Sequence, residues 1–257
     1  MGSGSEGRSG RTLRATEGSG KERPRGFFTS GDLAPDVSAC VVLAAGASVR
    51  SGPVPKALLP LPGGGTVLRR IVGTAISGSF SPVIVVLGAH APALQEELLD
   101  LPGARSCVHD GWAQGRTGSF KRGLAEAGAG LGGTLLWPVD HPFVLPSTLE
   151  SLVRAAASHL SATRSPDPAH WVLPTYEGRR GHPVLLSDTA REEVLGYRDD
   201  EPLFRYLRSH PGHVLEVPVE DPGVLENIDT PDALASALSR IQRLGPAGTA
   251  TPPPRET

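Results

Sequence analysis

Ala39-Cys-Val-Val-Leu-Ala-Ala-Gly46 is a continuous apolar run halted by a glycine. That pattern predicts a strand buried on both faces at the centre of a parallel sheet. Pro82-Val-Ile-Val-Val-Leu-Gly88 repeats it, and Thr134-Leu-Leu-Trp-Pro-Val-Asp140 gives a further strand that ends on an acid. A shorter strand is expected over 104–109. Between these runs the apolar period changes to that of a helix. Val67, Ile71, Val72, Ala75 and Ile76 share one face over 66–77, and further helices are expected over 91–99, 117–129, 147–159 and 230–243. The helix at 147 is expected to open with a Ser-Thr-Leu-Glu capping box. Trp171–Tyr176, a turn at Glu177-Gly178 and Gly181–Leu186 read as a hairpin, followed by a late strand over 214–219. Strands alternating with helices define an α/β fold with an open, mostly parallel sheet.

The flanks differ from this core. Residues 1–37 are rich in Gly, Ser and mixed charge and show no apolar period, and 245–257 carry Pro252-Pro-Pro. Both are expected to be disordered tails, because they cannot bury enough surface to offset the entropy of ordering. The remaining residues, 38–244, suffice for one well-buried domain. With 25 Lys+Arg against 27 Asp+Glu the net charge is -2, which argues against nucleic acid or anionic lipid as a partner. No apolar stretch approaches the roughly 20 residues of a membrane helix. Cys40 and Cys107 lie in strand-like segments and read as buried free thiols, so a cytoplasmic location is expected.

Ligands of open α/β sheets bind beyond the carboxyl ends of the strands, which directs attention to the residues after each one. After the first comes Gly46-Ala-Ser-Val-Arg-Ser-Gly-Pro-Val-Pro-Lys56. Ala44, Ala45 and Gly46 are small enough for a nucleotide to lie against the backbone, and their amides can face phosphate oxygens. Arg50 and Lys56 place two cations where a triphosphate would sit. Lys56 is one of only three lysines beside 22 arginines, so a compact charge is specified there. Neither Gly-x-Gly-x-x-Gly nor Gly-x-x-x-x-Gly-Lys-Ser/Thr is present, which weakens a dinucleotide oxidoreductase and excludes a kinase-type or ATPase-type loop. Asp140, at the end of its strand, is placed to hold Mg²⁺ against phosphates.

Leu43-Ala-Ala-Gly-x-Ser48-x-Arg50, followed by Pro55-Lys-x-Leu-Leu-Pro-Leu61, resembles the signature of the MobA-like nucleotidyltransferases, whose fold is Rossmann-like and similar to glycosyltransferase A: a three-layer sandwich. The resemblance covers most of 39–240 and is strongest to the molybdenum cofactor cytidylyltransferases. Asp110-Gly-Trp-Ala-Gln-Gly115-Arg-Thr-Gly-Ser119 is similar to their nucleotide-facing segment, with Asp110 where Asn is usual. Trp112 reads as core or as a base-stacking platform. Two departures stand out: Ser51 replaces the usual Met, and Arg50 and Lys56 are one residue further apart.

The resemblance implies transfer of CMP from CTP to a phosphorylated acceptor, molybdopterin or its molybdenum form, with release of pyrophosphate. A molybdoenzyme would then receive the product. It implies Arg50 and Lys56 as catalytic cations, with Leu43, Ala44, Ala45, Gly46, Ser48, Gly115 and Ser119 binding nucleotide. Ala45, where guanylyltransferase relatives have a second Gly, is expected to crowd a purine. Mg²⁺ would be held by Asp140 and by Asp229 of Glu226-Asn-Ile-Asp-Thr-Pro, with Asn227 a further candidate ligand. Helix capping is the competing account of Asp229. His141 stands where the family has Gln. Gly181-His-Pro-Val184 is shared with the cofactor enzymes and assigns His182 to the acceptor, whereas Arg179 and Arg180 read equally as a solvated hairpin tip. A sugar or polyol phosphate acceptor, or a non-catalytic nucleotide-binding maturation partner of a molybdenum hydroxylase, are the other readings.

Overall fold

The computed structural model describes residues 38–49, 54–129, 131–162 and 171–244. The two expected tails lie outside the described residues, and so does Arg50. At the centre is β1 (Ser38–Ala44), paired in parallel with β2 (Val83–Leu87) on one side and β4 (Gly133–Pro138) on the other. The strand β3 (Ala104–Val108) extends the sheet beyond β2, again in parallel. On the far side of β4 lie β7 (Val184–Leu186) and then β5 (Trp171–Tyr176), both joined antiparallel. The short β6 (Arg179–Arg180) pairs antiparallel with β5, and β8 (Val214–Pro218) pairs with it in parallel.

Successive side chains of a strand face opposite sides of the sheet, so the apolar run of β1 serves two cores. Cys40, Val42 and Ala44 join a cluster beneath α1 (Val67–Ser77), α2 (Ala91–Leu98), α4 (Pro146–Ala162) and α7 (Pro231–Leu244). Val41 and Ala45 join a second cluster beneath α3 (Arg116–Ala127), α5 (Asp188–Leu195) and α6 (Phe204–Ser209). The molecule is thus a single α/β domain of three layers. Burial drives the Cys40 thiol pKa far up, so it stays protonated. Among the described residues, no helix is long and apolar enough to cross a membrane.

Two local expectations are revised. The run 181–186 is not one strand. His182 gives its amide to the Val224 carbonyl at 2.9 Å, and that bond draws the chain off the β5 ladder between β6 and β7. Nor does Ser147 cap its helix: α4 begins one residue earlier, at Pro146, a favoured first helical position.

The helix α3 lies close against the sheet at Gly123, where a Cβ would stand 2.4 Å from Val41 Cγ1 and 2.8 Å from Val86 Cγ2. Gly123→Ala gains about 1 kcal/mol in helix propensity but overpacks this contact at a cost of roughly 1–3 kcal/mol. A lower midpoint of chemical denaturation is the expected result; a raised midpoint would show that the helix does not sit this close.

Candidate active site

At the carboxyl ends of β1 and β4 a cleft of about 290 Å³ opens. Its lining includes all of Leu43, Ala44, Ala45, Gly46 and Ser48 from the first loop, together with Lys56. Ala44 and Ala45 are each only 5% exposed, so the small side chains bring backbone, not bulk, to the surface of the cleft. The Lys56 amide donates to Ser48 Oγ at 3.3 Å, closing the loop across the segment that carries Arg50.

The opposite rim brings together two carboxylates 89 residues apart in sequence. Asp140 lies two residues past β4 and Asp229 just before α7. The Lys56 ammonium sits between them, 2.5 Å from Asp229 Oδ1 and 3.8 Å from Asp140 Oδ2. Arg116 Nη2 is also 3.8 Å from Asp140 Oδ2, and Asn227 Nδ2 donates to that oxygen at 3.3 Å. Burial alone would raise the Asp140 pKa. The hydrogen bond from His141 Nδ1 at 2.8 Å, with the charges of His141, Lys56 and Arg116, outweighs burial and holds the carboxyl well below its ordinary range. An ionised carboxylate facing a second one, with a cation already between them, is a donor set suited to a hard divalent ion. The capping account of Asp229 is answered locally: Thr230 Oγ1 accepts from the Ala233 amide at 3.1 Å, so Thr230 caps α7 and Asp229 is left facing the cleft.

Gly115 and Ser119 line the cleft from the start of α3, where the loop around Asp199 packs against the helix end. The Gly118 amide is taken by the Asp199 carbonyl at 3.1 Å, and the Thr117 hydroxyl by the Glu201 carbonyl. Ser119 Oγ is paired with His109 Nδ1 at 3.1 Å. A Cβ on Gly115 would stand 2.6 Å from the Asp199 carbonyl oxygen, which accounts for a glycine there. Lys121 locks the same loop, reaching Asp199 Oδ1 at 2.8 Å and the Tyr197 carbonyl at 2.7 Å.

Leu43, Gly115, Arg116 and Pro138 also border a second, larger cavity of about 650 Å³. Its walls are largely apolar, with Leu136, Trp171, Leu173 and Phe204, and Arg180, Arg208 and His182 add polar groups. The His182 ring meets His141 edge-on at a centroid distance of 4.7 Å. Burial, then His141 and Arg116, push its pKa down to about 3 against the pull of Asp140, so the imidazole is neutral at neutral pH. Arg180 is drawn to Glu216, its Nη2 2.6 Å from Oε1.

Sequence reasoning missed Arg116 and His90. Arg116 follows Gly115 inside a motif already singled out, so its position was a usable signal. His90 bonds the Ala47 carbonyl at 2.9 Å through Nε2 and lines the cleft; it follows β2 at the sheet's carboxyl edge, where that topological rule directs attention. Trp112 also lines the cleft, packed so tightly that a Cβ on Gly88 would stand 2.7 Å from its ring.

Comparison with known proteins identifies residues 40–214 with the MobA-like NTP transferase domain. A protein named nicotine blue oxidoreductase, from Paenarthrobacter nicotinovorans, is 31% identical over 205 residues, which cover 77% of this chain and 95% of that protein. The crystal structure of Rv0371c from Mycobacterium tuberculosis H37Rv matches with a TM-score of 0.66 at 28% identity, over 80% of this chain and 99% of its own. Its complex with manganese matches with a TM-score of 0.64 at 27% identity, over 79% and 99%.

Proposed function

The chain belongs to the MobA-like NTP transferase family, and on that premise we propose that this nucleotidyltransferase moves CMP from CTP to a phosphorylated acceptor, molybdopterin or its molybdenum form. The observation that carries the reading is the meeting of Asp140, Asp229 and Lys56 at the mouth of a cleft walled by Leu43–Gly46. In the reaction an acceptor phosphate oxygen forms a bond to the α-phosphorus of CTP. The bond from that phosphorus to the oxygen bridging to the β-phosphorus breaks, and pyrophosphate leaves. An ionised phosphate is already a nucleophile, so positioning and charge neutralisation supply the acceleration.

Lys56, with Arg50 from the same loop, would hold the negative charge of the phosphates. Asp140 and Asp229 would hold Mg²⁺ or Mn²⁺, whose chemistry is to neutralise phosphate oxygens as charge develops. The manganese complex of the M. tuberculosis relative supports a divalent ion. Ala45, which lines the cleft, stands where guanylyltransferase relatives have glycine and is the residue we assign to a pyrimidine preference. The larger apolar cavity offers room for a flat acceptor beside His182. The test is pyrophosphate release with CTP, GTP, ATP and UTP in turn, with Mg²⁺, with and without molybdopterin. Release confined to CTP plus molybdopterin is expected; release only with sugar phosphates would move the acceptor assignment.

A second reading rests on the apolar character of that cavity together with the name of the 31% identical relative: an oxidoreductase reaction on nicotine blue or a compound like it. Bleaching of nicotine blue by the purified protein with NADH or NADPH would favour it over nucleotidyl transfer.

A further inference from the structure

Asp221 is 3% exposed and no cation pairs with it among the described residues. Burying a carboxylate is costly unless donors replace its water. Three do so, and they come from two distant segments. Oδ2 accepts from the Leu145 amide at 2.8 Å and from the Thr148 hydroxyl at 2.6 Å, and Oδ1 accepts from the Gly223 amide at 2.9 Å. Leu145 lies on the loop that begins at Asp140, and Gly223 on the segment that runs on to Asp229. The contact between these segments is closed tightly: a Cβ on Gly223 would stand 2.1 Å from the Phe143 carbonyl oxygen. Further along, the Ile228 amide donates to the Asp140 carbonyl at 3.0 Å, and the Val224 carbonyl accepts from His182. One carboxylate therefore pins the two strands of chain whose separation sets the distance between the cleft's acids.

We infer that Asp221 is a positioning residue that fixes the spacing of Asp140 and Asp229, and through it the affinity of the pair for a divalent cation. The inference rests on the metal reading of those two acids. The same two segments also share an apolar core through Phe143, Val144, Val224 and Ile228, and Lys56 and Asn227 reach across at the cleft; Asp221 adds the buried polar tie that fixes their register behind the acids. Residues that orient metal ligands without touching the metal commonly change affinity by about 10–100-fold when replaced.

The experiment titrates Mn²⁺ alone into the full chain, following the free ion by electron paramagnetic resonance, for the unaltered protein, Asp221→Asn and Thr148→Val. Thermal unfolding is run beside it. The Mn²⁺ Kd is expected to rise about tenfold or more in Asp221→Asn and by a smaller factor in Thr148→Val, with kcat at saturating Mn²⁺ recovered to within about threefold. Should Asp221→Asn fail to fold, Thr148→Val decides. A lower melting temperature with an unchanged Kd would overturn the positioning role and leave the metal reading standing. Absence of Mn²⁺ binding in the unaltered protein, with or without CTP, would overturn both.

Discussion

Asp140→Asn is expected to lower nucleotidyl transfer about 10³-fold with the fold retained. A metal acting on phosphoryl oxygens is worth several kcal/mol, and each ~1.4 kcal/mol is a factor of ten. Asn keeps the volume and one acceptor oxygen but removes the charge. Backbone bonding survives, since Ile228 donates to the Asp140 main-chain carbonyl. What is lost is the charge of a carboxylate whose Oδ1 is held by His141 and whose Oδ2 is held by Asn227. Turnover with saturating CTP and Mg²⁺, together with Mn²⁺ titration, checks this: both should fall together. Turnover within tenfold of the unaltered protein would remove Asp140 from the site.

Lys56→Met gives the second large effect and a different signature. Removing one preorganised charge donor typically costs 10²–10³ in turnover, and that is the loss expected here. Metal binding should move the opposite way. The Lys56 ammonium occupies the space between the acids at 2.5 Å from Asp229, so in the absence of nucleotide it competes with a cation for the same oxygens. Its removal is expected to leave Mn²⁺ affinity unchanged or tighter while transfer collapses. Parallel losses of metal and turnover would mean that Lys56 acts by holding the acids in place instead of by stabilising phosphate charge.

The sheet was legible because β1, β2 and β4 are buried on both faces and their sequences say so without reference to anything distant. The same locality made Asp140 visible: an acid beyond a buried strand has one plausible direction to face. Thr230 and Asp229 were harder to separate, because both residues precede Pro231 and either side chain can cap a helix; only the Ala233 amide distinguishes them. At the start of α3 the sequence placed Gly115 and Ser119 beside the cleft but gave no sign of the loop at Asp199, 81 residues beyond Gly118, whose carbonyl takes the Gly118 amide. Asp221 carried no signal of its own, since its partners Leu145 and Thr148 are 76 and 73 residues away. The short helices α5 and α6 were missed as well: one of the three buried residues of α5 is Arg191, and α6 buries only Tyr206, so neither shows an apolar period.

The central claim is that a nucleotidyl group leaves CTP for an acceptor phosphate. CTP labelled at its α-phosphorus tests it most directly, incubated with the protein, Mg²⁺ and molybdopterin and followed by separation of the products. The account predicts label appearing in the acceptor, in equal amount to pyrophosphate released, and none from similarly labelled GTP. Label that remains in CTP, although CTP binds, would contradict it.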